Sequence, residues 1–145
     1  MKSLLNKRLF LWLSISSGLL LTLSWPARGL PLLAFLAFVP LLYLEDLALK
    51  NKKPYSGLNV FLYSWLTFGV FNLLTTWWIF FATPAGMLVA VVLNSLLMAL
   101  PWWLMHLSRK ILPGQQGQAS IVLLWLSFEY LHGRWDLSWN WLDLG

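Results

Sequence analysis

Long apolar runs broken by short polar connectors dominate this chain. Five can be marked, at 9–25, 29–44, 60–81, 87–107 and 119–131, the last extending toward 135. A helix needs roughly 20 apolar residues to cross a bilayer, so the third and fourth runs are long enough outright. The first two and the fifth are shorter and rely on flanking residues or local thinning of the bilayer. Charged residues make up only 10% of the 145 and hydrophobic ones 59%, with mean hydropathy +0.70. A soluble domain of this size has too little interior for so many large apolar side chains. The expected fold is therefore all-α: a polytopic transmembrane bundle of about five helices occupying 1–145 as one domain.

The connectors fit that count. Ser24-Trp25-Pro26-Ala27-Arg28-Gly29 joins a helix-stopping Pro to a Gly, and Pro31 suits the first turn of the next helix. The stretch 45–57 is the most polar, and Thr83-Pro84-Ala85-Gly86 is a tight, uncharged turn. Lys2, Lys7, Arg8, Lys50, Lys52, Lys53, Arg109 and Lys110 fall on one side if all five runs cross, against Arg28 and Arg134 on the other. Eight against two puts the N-terminus in the cytoplasm and the Gly145 end outside. The first run has the basic start of a secretory signal, but Trp-Pro-Ala-Arg after it is no small-x-small cleavage site, so an uncleaved helix is expected.

Several polar residues lie inside the apolar runs. Asn72 sits about 13 Å from the outer end of its run at Phe81 and Asn94 about 10 Å from Met87, so in an antiparallel pair they meet at similar depth. Interhelical hydrogen bonding explains them without a substrate. Thr75 and Thr76 can satisfy backbone carbonyls, while Pro40 and Pro101 should kink their helices. Glu129 is the most informative single residue. An ionisable group near the outer end of a span is a functional candidate, or else an interfacial carboxylate bonded to His132 or nearby backbone. Trp12, Trp65, Trp102 and Trp103 lie near inner ends; Trp25, Trp77, Trp78, Trp135, Trp139 and Trp141 lie near outer ends. An aromatic belt accounts for most of these, and the outer excess suggests a surface suited to acyl chains and headgroups.

The exclusions are clear. With no Cys there is no disulfide, thiolate metal site or cysteine nucleophile in these residues. No phosphate-binding loop, zincin helix or Ser/His/Asp grouping occurs at usable spacing. His106 and His132 fall at opposite faces, so no metal is expected, nor any cofactor. The cations are dispersed between apolar runs, which gives no nucleic-acid face.

Three stretches together carry a resemblance. They are Leu23-Ser24-Trp25-Pro26 with Gly29-Leu30-Pro31 and Val39-Pro40-Leu41-Leu42; then 72–78, Asn-Leu-Leu-Thr-Thr-Trp-Trp; and finally 128–133, Phe-Glu-Tyr-Leu-His-Gly, leading to 141–145, Trp-Leu-Asp-Leu-Gly. In order and spacing they resemble the N-terminal membrane portion of bacterial apolipoprotein N-acyltransferase, in a form like those of Bacteroidetes. The resemblance implies an inner-membrane enzyme with a periplasmic nitrilase-like domain, missing from this chain. Such an enzyme moves an acyl chain from a phospholipid donor to the N-terminal amine of a diacylated lipoprotein acceptor, through a thioester on a Cys assisted by a Glu and a Lys. None of those three has a counterpart here, so the chain alone is expected to be inactive and to be a fragment or a truncated product. By the same resemblance Trp141 matches a Trp near the outer-face site, and Trp141, Glu129 and Trp78 are the candidate substrate- or lipid-binding residues. Two positions depart from the pattern: His132 stands where the family commonly has Arg, and Asn140 where it commonly has Pro. A non-enzymatic lipid-binding or assembly module is the alternative, and a small transporter or channel ranks behind both.

Overall fold

The computed structural model describes residues 2–25, 30–50, 56–112 and 114–134, with side chains from residue 7 in the first stretch and 57 in the third. Trp141, Asn140, Arg28 and the connector 51–55 lie outside the described residues. Among the described residues six α-helices follow one another: α1 Lys2–Ser24, α2 Ala34–Ala37, α3 Val39–Lys50, α4 Ser56–Thr76, α5 Pro84–Ile111 and α6 Gln115–His132. Short 3-10 turns, Pro31–Leu33 and Trp77–Phe81, lead into α2 and out of α4. With α2 and α3 counted as one broken helix, the described residues form an all-α bundle of five helices. Among the described residues, three stretches are long and apolar enough to cross a membrane: Pro31–Lys50, Gly57–Phe81 and Pro84–Ile111.

Local chemistry explains the helix ends. Pro31 takes the first position of its turn, where a missing N–H costs nothing. Pro40 has no N–H to offer the Leu36 carbonyl, and the helix breaks at Phe38 between α2 and α3. By contrast α5 runs through Pro101 as a single helix. Thr83 caps α5 by accepting a hydrogen bond from Gly86 N at 3.2 Å, with Pro84 at the first turn, which starts the helix ahead of the apolar run. The α5–α6 corner turns on Gly114, whose φ of 72° is a left-handed conformation that glycine adopts without strain.

Lipid offers no hydrogen bonds, and most polar side chains within the helices bond to carbonyls or to each other. Thr67 Oγ1 donates to Ser14 O at 3.1 Å, tying α4 to α1, and Ser17 Oγ donates to Ala37 O at 2.6 Å, tying α1 to α2. Between these serines and Leu21, Gly18 lets the backbones of α1 and α4 meet: a Cβ there would lie 2.6 Å from Thr67 O. Thr75 and Thr76 donate to Phe71 O and Asn72 O, as expected. Asn94 Nδ2 donates to Asn72 Oδ1 at 2.7 Å, and Asn72 Nδ2 reaches Ser95 Oγ at 3.2 Å. The depth arithmetic for this pair holds.

Two apolar clusters fill the bundle. One gathers Leu21, Ala37, Leu41, Phe68, Phe71, Met98, Ala99, Trp102 and Met105; the other, nearer the start of α1, gathers Phe10, Leu44, Ala48 and Val60. The second cluster brings the start of α1, the end of α3 and the start of α4 together, and Gly57 of α4 adjoins His106 and Lys110 of α5. Helix ends carrying Arg8, Lys50, Arg109 and Lys110 thus share one end of the bundle, as the charge alternation requires.

Gly18→Ala forces a methyl group against a backbone carbonyl. It is expected to destabilise the bundle by about 1–3 kcal/mol, the usual cost of overpacking, read by denaturant unfolding in bicelles. An unchanged midpoint would mean that α1 and α4 do not approach so closely.

Candidate functional site

A groove of about 430 Å³ opens on the flank of the bundle, within the size range of small-molecule sites. Phe38 and Leu42 form one wall, Ile121, Val122, Trp125 and Leu126 of α6 the other, and Trp102 of α5 the floor. Glu129 is the charged residue among its lining side chains. From Ile121 to Glu129 the α6 wall runs eight residues, about 12 Å.

Aromatic contacts set its shape. Phe38 sits at the helix break and stacks on Trp102, ring centroids 5.5 Å apart and planes 27° apart. It also meets Trp125 edge-on at 5.7 Å, while Phe68 and Phe128 lie 5.6 and 5.7 Å from the same indole. Trp125 is thereby fixed from three sides. Its Nε1 donates to Glu129 Oε1 at 2.8 Å, one helical turn along, so the carboxylate is held at the groove by its own helix. The Trp102 indole N–H is buried in the floor and finds no acceptor among the described residues. A greasy trough with one oriented carboxylate at its end suits a long apolar molecule.

The residues singled out in the sequence are placed differently by the fold. Glu129 lines the groove and accepts from Trp125, while His132, one turn further on, stacks on Phe128 at 5.3 Å. Arg134 follows the helix end and lies over the Tyr130 ring, 4.1 Å from its centroid. Trp78 sits half-exposed in the turn after α4 and does not line the groove. Trp141 lies outside the described residues.

A second polar cluster escaped the sequence reading altogether. Glu45 and His106 are both fully buried, and Glu45 Oε1 is 2.7 Å from His106 Nδ1. Arg109 Nη1 donates to Glu45 Oε2, and its Nη2 donates to Asp46 Oδ1 at 3.1 Å. Lys50 completes the chain on Asp46 Oδ2 at 2.6 Å. The sequence placed Glu45 in a polar connector and His106 at an interface; in the fold α3 continues to Lys50 because α5 supplies partners for both acids. The available signal was the i, i+3 spacing of His106 and Arg109 on one helix face. Among the described residues no three His, Asp or Glu side chains converge as metal ligands.

A polytopic helical membrane domain with a side groove is the class that fold and site define. Residues 17–145 match the family model of the apolipoprotein N-acyltransferase N-terminal domain, and the chain belongs to that family. It is 32% identical over 145 residues to an apolipoprotein N-acyltransferase of Chlorobaculum tepidum, an alignment covering 98% of this chain and 26% of the relative. The chain thus spans about a quarter of that relative's length. No solved structure matches it.

The Trp125–Glu129 bond separates shape from charge. Trp125→Phe keeps a ring in the wall but leaves the carboxylate without its indole donor, while Glu129→Gln keeps an acceptor. Unfolding in bicelles is expected to show Trp125→Phe weaker by about 1 kcal/mol and Glu129→Gln near wild type. Equal losses would place the importance of Glu129 in its charge instead.

Proposed function

We propose that this chain is the membrane portion of an apolipoprotein N-acyltransferase, in which the groove between α3 and α6 seats an acyl chain of the phospholipid donor. The observation that carries this is the groove itself: apolar walls with the oriented carboxylate of Glu129 at one end, in a chain of this family. The acceptor in this reading is a diacylated lipoprotein, and the membrane is the bacterial inner membrane. The basic end of the bundle faces the cytoplasm, and Glu129 through Gly145 face the periplasm. Trp141 then lies beyond α6 on the side where headgroups sit, with Trp78 at the same interface.

The chemistry needs a nucleophile that these residues lack. Acyl transfer through a thioester forms a sulfur–carbonyl bond and expels the lysolipid, and the chain has no Cys to form it. On this reading residues 1–145 bind and orient the donor, and alone turn nothing over.

The test uses the chain in nanodiscs of phosphatidylethanolamine and phosphatidylglycerol, with phosphatidylethanolamine carrying a mid-chain diazirine. Photolabel is expected on the α6 peptides bearing Ile121, Trp125 and Leu126, and a headgroup-labelled analogue is expected to mark Trp141. Leu42→Trp, which fills the groove, should cut groove labelling several-fold while sparing lipid-facing Leu123. Labelling of Leu123 alone, or labelling indifferent to Leu42→Trp, would overturn the groove as an acyl site.

A further inference from the structure

The groove's wall comes from α3 and its floor from α5, which meet through the core around Leu41, Met98 and Met105. α3 leans chiefly on α1 and α4, and its backbone approaches α5 only slightly. It is also short, and it follows a break at Phe38, so it does not inherit its pose from a long straight helix. Direct contact between α3 and α5 is made by side chains such as Leu41 in the shared core and, at the break, by Phe38 stacked on Trp102, apolar contacts that do not by themselves single out one register.

The buried ionic cluster lies on the same two faces, one to two turns along. Glu45 comes three residues after Leu42 and seven after Phe38, which is helical spacing for one face of α3. His106 comes four residues after Trp102, and Arg109 three after that, on one face of α5. Both Glu45 oxygens are engaged, one by His106 and one by Arg109. Sliding α3 by a turn, ~5.4 Å, would separate all three and strand a carboxylate in the bundle interior. A buried pair of this kind adds little net stability over apolar packing, but it penalises every wrong register heavily.

We propose that Glu45, with His106 and Arg109, is a register lock that fixes the α3 wall of the groove against its α5 floor and so sets the groove's width. Glu45 and His106 are positioning residues: they act on the groove through Leu42, Phe38 and Trp102 and do not line it. Asp46 and Lys50 form the more exposed arm of the cluster and carry no part of the lock. The consequence for acyl binding rests on the proposed function; the lock itself does not.

Because the chain has no cysteine, a spin-label pair can be introduced without background. Tyr43 on α3 and Leu123 on α6 are 52% and 71% exposed and adjoin the groove-lining Leu42 and Val122. In nanodiscs, double electron–electron resonance on the Tyr43→Cys/Leu123→Cys chain is expected to give one narrow distance. Glu45→Gln is expected to broaden it or move its mean by several Å, on the order of the ~5.4 Å helical pitch, whereas Asp46→Asn leaves it narrow. Should Glu45→Gln fail to insert, His106→Leu, which removes one partner and leaves Arg109 on Glu45, is read the same way. A narrow, unmoved distance in the folded variant, or an equal shift in Asp46→Asn, overturns the lock. The same chains with the mid-chain diazirine lipid keep the two readings apart. Loss of groove labelling in the wild type refutes the acyl site and leaves the distance test standing. With labelling present, Glu45→Gln is expected to change it at least twofold.

Discussion

Lipid cannot hydrogen-bond, and that fact governs most of what these residues do. Every backbone amide within a span needs a partner in its own helix, which leaves helices as the available element for apolar runs separated by short connectors. Side-chain hydroxyls answer to the same constraint. Ser14, Thr22, Thr75, Ser95 and Ser108 each donate back to a carbonyl one turn earlier. Where two helices must recognise each other, the polar atoms cross between them, as at Ser17–Ala37, Thr67–Ser14 and Asn72–Asn94. These contacts specify which helix meets which, while close packing around Gly18 and the Phe68–Phe71 core supplies the attraction.

The bundle has two chemically different ends. At the basic end, acidic residues of α3 are drawn inside by the cations of α5, so charges that would otherwise demand water become part of the interior. At the other end aromatic rings and Glu129 prevail, and Arg134 is absorbed by the Tyr130 ring. The groove spans the distance between them, with Trp102 nearer the first and Glu129 at the second. In this chain of the apolipoprotein N-acyltransferase family the fold thus places one oriented carboxylate at an apolar groove.

Much of this was legible from residues alone, for definite reasons. Helix identity followed from apolar length, and the shared basic end followed from the alternation of Lys and Arg. The Asn72–Asn94 bond followed from depth, because two antiparallel runs joined by a tight turn have only one register. Glu129 stood out because a carboxylate in an apolar run has few excuses. The groove was not legible: its walls are ordinary Phe, Leu, Ile and Val, and only the break at Phe38 brings them around Trp125. The Glu45 cluster was hidden by separation, its two partners lying 61 and 64 positions further along the chain than the acid. Its members read as a solvated connector and an interfacial histidine until α3 was seen to continue. Ser14, Ser17 and Gly18 did carry a readable small-residue face, which the sequence reading passed over.

The proposed orientation rests on the sorting of cations to one membrane face by five crossings. Alkaline phosphatase fused after Gly145 tests it directly, with green fluorescent protein fused at the same position as the counterpart. The phosphatase fusion should be active and the fluorescent one dark, since the proposed orientation puts the end after α6 outside. A dark phosphatase with a bright fluorescent fusion would put that end in the cytoplasm and contradict the arrangement of the bundle in the membrane.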